Sequence, residues 1–207
     1  MYKEDIEYEK LYSKLPDTTE ELLEYLENTK RIDFNKVKEK EKQIDKIKWE
    51  EINLTIPWVP KASPRPRQGK FGFYVKDAKK NRKRMKKFIE ELDTICTRVE
   101  YTIEAYLPTP KGMSNVDTYL AEKKKIRPLQ KPDWDNLAKT YPDTMSGYDS
   151  LLLDDYIINP GRVELYYSIK PRINIKIRYQ EDFDCDYNRK RIQKTVAYMK
   201  YMCKEDK

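Results

Sequence analysis

In four short stretches of this chain every second residue is apolar, and that alternation limits the fold more than any other feature. Ile52, Leu54, Ile56 and Trp58 fall on one side of the first, with Asn53 and Thr55 on the other. Val99, Tyr101, Ile103, Ala105 and Leu107 form the second, Val163, Leu165 and Tyr167 the third, and Ile173, Ile175, Ile177 and Tyr179 the fourth. A period of two places the apolar set on one face of a strand, so each stretch predicts a half-buried strand. Only a short connection containing Pro171 separates the last two, which predicts that they pair antiparallel. Met85, Phe88, Leu92 and Ile95 recur at helical spacing in a run without proline between Lys76 and Thr97. Helical patterns return around residues 134–146 and, through Ile192, Val196 and Met199, from Tyr187 to Cys203. The expected class is α+β: a mixed or antiparallel sheet of about four strands with helices packed on it.

The amino-terminal fifty residues read differently. Leu22, Leu23, Tyr25 and Leu26 follow Thr18 and Thr19, and Lys/Glu alternation from 36 to 42 precedes Ile44 and Ile47. A threonine followed three residues later by Glu21 or Leu22 marks a helix start, and the alternating charges mark a solvated helix. A chain of 207 residues needs only one core. The expected division is a helical extension over 1–50, a core domain over 51–180 and a carboxy-terminal helix over 181–207. Pro57, Pro60, Pro64 and Pro66 lack backbone donors and turn PKASPRPRQGKFGFY into an extended basic loop. Residues 108–132 also read as loop.

Charge narrows the partner. The 43 basic and 36 acidic residues, with no histidine, give a net charge of +7. Residues 1–50 hold 11 basic and 14 acidic side chains, so the excess lies beyond them. Its densest part is Lys61 to Lys87, with 12 basic residues opposed only by Asp77. Such a run suits a polyanion whose counterions are released on binding, with a merely solvated surface as the alternative, so charge alone names no substrate. The candidate nucleic-acid contacts are Arg65, Arg67, Lys70 and Lys76 in the loop and Lys79, Lys80, Arg82 and Lys83 on the helix after it. Phe73 and Tyr74 are the loop aromatics placed to meet a base; Tyr101, Tyr167 and Tyr179, at strand positions, read as core. Cys96, Cys185 and Cys203 form no CxxC pair and read as reduced thiols. No apolar run is long enough to span a bilayer and MYKEDIEYEK has no signal-peptide core, so a cytoplasmic protein without a membrane partner is expected.

Against this basic background, residues 131–155 concentrate Asp133, Asp135, Asp143, Asp154 and Asp155. Carboxylates held together raise one another's pKa unless they are solvated, paired with cations or neutralised by a bound metal. Without histidine, an all-oxygen donor set favours Mg²⁺, with Mn²⁺ as the alternative, over zinc or copper. Pro132 is expected to open a helix with Asp133 and Asp135 at its amino end, where the dipole favours negative charge. Lys139 lies four residues after Asp135, a spacing that fits either an ordinary salt bridge or a cation beside a reacting phosphate. Asp154 and Asp155 follow Leu151, Leu152 and Leu153 at a distance that lets the chain turn back on this helix, so that both acidic groups can meet one ion.

KPDWDNLAKTYPDTMSG followed by LLLDD resembles the signature of the RusA family of Holliday-junction resolvases. The resemblance spans about residues 51–180 and includes the Pro-Arg-Pro-Arg loop and the closing PRINIKI strand. It implies that Asp133, Asp135 and Asp155 are catalytic metal-binding carboxylates with Asp154 beside them. It also implies that Lys139 is an essential basic residue and that Asn136 and Asp143 support the site. It further implies a homodimer that nicks four-way DNA junctions in symmetric pairs with Mg²⁺, without a small-molecule cofactor, and a gene of phage or prophage type. Three features depart from the family pattern: the amino-terminal extension, the segment from Lys111 to Gln130, and Pro142. The sequence leaves open whether Pro142 kinks the helix and carries Asp143 away. Two other readings remain: a non-catalytic DNA-binding accessory protein of replication or recombination, and a nuclease of flaps or forks.

Overall fold

The computed structural model describes residues 15–61, 67–69, 72–74, 78–147 and 149–205, and side chains within 15–61, 79–147 and 149–203. The chain divides into two units, Met1–Lys46 and Ile47–Lys207. Two helices are described in the first, α1 (Thr19–Thr29) and α2 (Phe34–Asp45). Thr18 caps α1 in a full capping box with Glu21, and Asp33 caps α2 through the amides of Asn35 and Lys36. Neither helix buries a residue, in keeping with their highly charged sequences.

The second unit is built around β4 (Val99–Pro108). Its strand order is β1-β6-β4-β5, with β1 (Trp49–Ile56), β5 (Ile158–Ser168) and β6 (Arg172–Gln180). β6 runs antiparallel to both β1 and β4, and β5 runs parallel to β4. The registers place Leu54, Ile175, Ile103 and Val163 in one row and Ile56, Ile173, Ala105 and Leu165 in the next. These are the period-two residues of the sequence, and they form the core face. Met85 and Ile89 of α3 (Ala78–Ile89) and Leu137, Tyr141 and Met145 of α5 (Trp134–Met145) cover it. The mixed α+β sheet is thus as expected.

Its wiring and its elements correct four expectations. β5 and β6 do not pair: β4 lies between them, and Ile169–Pro171 carries the chain past the end of β4 from Ser168, opposite Pro108, to Arg172, opposite Tyr106. A short connection favours a hairpin only when the intervening position is free. Here β5, returning through a long helical crossover, is parallel to β4 and leaves β6 the other edge of that strand. The 108–132 segment holds α4 (Asn115–Glu122), capped by Ser114 and packed through Ala121 near Leu107 and Tyr167. The basic loop contains a paired β2 (Arg67–Gly69) and β3 (Gly72–Tyr74). At the carboxy end two helices replace one, α6 (Asp186–Gln193) and α7 (Val196–Glu205). Thr195 sits at the break, accepting from the Tyr198 amide while its own amide donates to Ile192. Strand β1 stops at Ile56 because Pro57 follows, and Trp58 packs edge-on against Phe88 instead.

Candidate active site

Helix α5 organises the site. Asp133 is its N-cap in extended conformation but makes no side-chain cap hydrogen bond, unlike Thr18, Asp33 and Ser114 at their helices. Its exposed carboxylate is therefore not spent on the helix's own amides. Asp135 follows in the first turn. Both line a cleft of about 620 Å³ with Asn136, Pro60 and Lys61. The segment carrying Pro60 and Lys61 is held against α5 by the Tyr141 hydroxyl, which accepts from the Lys61 amide at 3.3 Å and donates to its carbonyl at 3.5 Å. Burial pushes the Tyr141 phenol up to about 12, offset in part by that backbone contact, so the hydroxyl stays protonated.

At the other end α5 runs uninterrupted through Pro142, which is buried. The ring removes the amide that would bond to Ala138. Beyond it the last turn is tied by side chains, Thr144 Oγ1 donating to the Tyr141 carbonyl at 2.8 Å and Ser146 Oγ to the Pro142 carbonyl at 2.9 Å. Pro142 therefore does not end the helix ahead of Asp143. Gly147 then adopts φ +135°, a conformation other residues rarely take, and its amide donates to the Leu152 carbonyl at 2.9 Å. Leu151, Leu152 and Leu153 are fully buried, and their backbone is bonded to Met145 on one side and to Ile95 on the other. This strut delivers Asp154 and Asp155 to the carboxy-terminal end of α5.

There, Asp143, Asp154 and Asp155 share a cleft of about 510 Å³ with Asn81 and Arg82 of α3, Thr140 and Thr144 of α5, and Val196, Ala197 and Lys200 of α7. Asp143 opens to solvent, yet the cleft walls desolvate its carboxyl and raise its pKa. The Asp155 and Asp154 charges raise it further, and Lys139 and Arg82 lower it only in part. Burial likewise raises Asp154; the Asp155 amide, donating at 2.8 Å, opposes this, while the hydrogen bond and charge of the Asp155 carboxyl add to it. The ionised carboxylates are thus held together at an electrostatic cost.

The structure does not gather all the candidate carboxylates in one place. Asp133 and Asp135 line the cleft at the amino end of α5, and Asp154 and Asp155 the one at its carboxy end, beside Asp143. Eight residues of helix separate Asp135 from Asp143, about 12 Å at 1.5 Å per residue. Among the described residues no three acidic or cysteine side chains converge closely enough to enclose a metal by themselves. Lys139 is exposed between the two ends, and its charge acts on Asp143. Asn136 belongs to the first cleft.

Of the expected DNA contacts, Arg65, Lys70 and Lys76 lie outside the described residues, and Arg67 and Phe73 are described only as backbone, paired with Tyr74 and Gln68. Lys79, Lys80, Arg82 and Lys83 are exposed on α3. Lys79, Arg82 and Lys83 line a groove with Lys86 and the end of α5, contiguous through Arg82, Thr144, Ser146 and Gly147 with the acidic cleft. Arg82 also donates to the Asp143 carbonyl at 3.1 Å, and Lys86 pairs with Asp149 at 3.1 Å. Sequence reasoning missed Lys61, Asn81, Lys86 and Lys200. The two lysines of the basic run carried no distinguishing spacing, and the tail carried no motif at all.

Carboxylates with an adjoining basic groove, on a mixed sheet backed by two helices, are the parts of a nuclease. The chain belongs to the RusA family: the family model described as "Endodeoxyribonuclease RusA" matches residues 57–178. Membership makes it an endodeoxyribonuclease of the Holliday-junction resolvase class, whose substrates are branched DNA. A protein of Bacillus subtilis (strain 168), "Uncharacterized protein YqaN", is 31% identical over 140 residues, covering 61% of this chain and 95% of that protein. Among the described residues no helix is long and apolar enough to cross a membrane.

Proposed function

We propose that the protein resolves four-way DNA junctions by paired, Mg²⁺-dependent nicks, acting as a homodimer. The observation that carries the metal dependence is the cleft at the end of α5, which Asp143, Asp154 and Asp155 line together: its walls desolvate Asp143 and Asp154 and raise both carboxyls, and repulsion from the neighbouring carboxylates adds to that rise. A hard cation relieves that repulsion. The donor set fits: it is all carboxylate, and Mg²⁺ is usually held by one or two carboxylates, with substrate phosphate and water completing its shell, so no enclosing cage is needed. Asp154 and Asp155, beside Asp143, are the residues that would hold it at the carboxy end of α5, and Asp133 and Asp135 would hold a separate ion at the amino end; Mn²⁺ suits the same oxygens. A bound divalent ion supplies a polarised phosphodiester and an activated water.

The chain's own side chains do the rest. Lys139, exposed on α5 between the two acidic groups, counters charge that builds on the phosphoryl oxygens. Asn136 and Asp143 orient the groups around them. Lys79, Lys80, Arg82 and Lys83 hold the backbone of the strand leading into the cleft, and Arg65, Arg67, Lys70, Phe73 and Lys76 extend that surface. A homodimer presents two such sites to a substrate that is itself two-fold symmetric, which accounts for nicks in pairs.

The test is cleavage of a labelled synthetic four-way junction beside linear duplex and flap, with Mg²⁺ or EDTA, by wild type, Asp135→Asn and Asp155→Asn. Symmetric nicks on the junction that need Mg²⁺ and vanish in both variants are expected. Junction binding without cleavage under any divalent ion refutes the catalytic reading, and equal cutting of flaps refutes the junction preference.

A further inference from the structure

The family match ends at residue 178, yet one wall of the acidic cleft comes from beyond it. Helix α7 presents Val196, Ala197 and Lys200 to the cleft, residues that share one helical face by their i, i+1, i+4 spacing. The facing wall is α3, with Asn81 and Arg82, and Asp143, Asp154 and Asp155 line the space between. A cationic side chain therefore stands on each side of the acidic floor.

Several contacts build the tail that carries α7. Arg189 grips both carboxylate oxygens of Asp182, at 2.8 and 3.0 Å, Asn188 donates to Asp184 at 2.8 Å, and Ile192 packs against the main core. Thr195 closes the break between α6 and α7 through its amide and hydroxyl. Val196 remains 62% exposed beside Lys200, as suits a side chain that meets a deoxyribose rather than packing inside.

We propose that Lys200 is a DNA-backbone contact of the active site, binding a phosphodiester of the strand to be cut from the side opposite Arg82. This inference rests on the nuclease reading of the cleft. Its competitor is a structural one, in which Lys200 serves only as counterion to the carboxylates. The two differ in what they make of DNA. A phosphate contact releases a counterion on binding, and so contributes about 0.9 to the slope of log affinity against log salt concentration. A structural counterion contributes nothing to that slope and instead supports the folded state.

The experiment is equilibrium binding of a four-way junction in EDTA, from 50 to 200 mM salt, by full-length wild type, Lys200→Ala, Lys200→Arg and Lys194→Ala, with thermal midpoints recorded for each. Lys194 lies at the α6–α7 break and removes the same charge from the same tail without touching the cleft. Lys200→Ala is expected to weaken binding and to lower the salt slope by about one, so that its affinity falls about threefold less than wild type over that salt range. Lys200→Arg should restore both, and Lys194→Ala should change neither. A wild-type slope and affinity in Lys200→Ala overturns the proposal, as does an equal effect from Lys194→Ala, which reduces the finding to general charge. A lowered thermal midpoint with an unchanged slope establishes the counterion role instead. Failure of the wild type to bind the junction at all overturns the nuclease reading together with this one, and is visible before any variant is compared.

Discussion

Replacing Leu152 with alanine tests the link between packing and chemistry. Leu152 is fully buried, its amide donates to the Met145 carbonyl at 2.8 Å, and its carbonyl accepts from Gly147 at 2.9 Å. It lies two residues before Asp154. The substitution removes three buried carbons, each contributing about 0.8 kcal/mol, and leaves a cavity that adds to the cost, for an expected loss of about 3 to 4 kcal/mol. Urea unfolding followed by circular dichroism measures that loss. Because the strut sets where Asp154 and Asp155 sit against α5, junction cleavage per folded molecule should fall as well, by about tenfold or more, the scale on which small misplacements in an active site act. Ile175→Ala is the control: Ile175 is equally buried, on β6, and bonds to nothing in the cleft. It should cost a similar amount of stability and leave cleavage per folded molecule intact. A stability loss below about 1 kcal/mol in Leu152→Ala refutes the packing argument. Full activity in a destabilised Leu152→Ala refutes the claim that the strut positions the carboxylates.

Three other outcomes follow from the same geometry. Tyr141→Phe removes both hydrogen bonds to the Lys61 backbone and should lower stability by about 1 kcal/mol in urea unfolding. An unchanged midpoint would mean that the Lys61 segment is held by other contacts. Burial by itself raises the Glu104 pKa, but hydrogen bonds from Lys124 at 2.8 Å and Tyr106 at 2.7 Å outweigh it and leave the carboxyl below its ordinary value. A depressed folded-state pKa means stability that is complete above the unfolded-state value and is lost as pH falls through the folded one. Glu104→Gln should therefore cost about 1 to 2 kcal/mol at pH 7 and progressively less as pH falls through the lowered folded-state value, and parallel stability curves for variant and wild type would refute the assignment. Arg82→Ala loses the donor to the Asp143 carbonyl at the end of α5, worth about 0.5 kcal/mol, and should weaken junction binding most at low salt. Weakening independent of salt would argue against a phosphate contact.

How much of this was legible in sequence depended on whether the deciding interaction is local. Ile103, Ile175 and their neighbours announced their strands because the period of two is a property of each strand alone. The place of β5 beside β4 was not legible, since it depends on a crossover through α4 and α5 that no window of sequence contains. α4 left a readable signal that the apolar pattern obscured: Ser114 and Asp117 form a start motif, with the Asp117 amide donating to Ser114 Oγ at 3.0 Å. Its apolar residues Val116, Tyr119 and Leu120 are exposed, so no buried stripe marked the helix. Asp133 and Asp135 were legible as the amino end of α5 because Pro132 and the acids mark a helix start by chemistry alone. Lys61 and Lys200 were not, because only the folded chain brings residues so distant in sequence to the flanks of one helix.

The division of the carboxylates follows from α5 itself. Asp135, Lys139 and Asp143 are spaced four residues apart and so form one strip along the helix, climbing about 6 Å per step. A strip of that length cannot present all its charges to one point, whatever the rest of the fold does. What the fold chooses is which end the Leu151–Leu153 strut reaches, and its bonds to Met145 and Gly147 bring it to the carboxy end. The carbonyl end of a helix disfavours anions, so Asp143, Asp154 and Asp155 sit in an unfavourable field as well as near one another. Arg82, on the Asp143 carbonyl, offsets part of that field. The remaining deficit is what makes this end of α5, more than the amino end where the dipole already supports Asp133 and Asp135, the place where a divalent cation has the most repulsion to relieve.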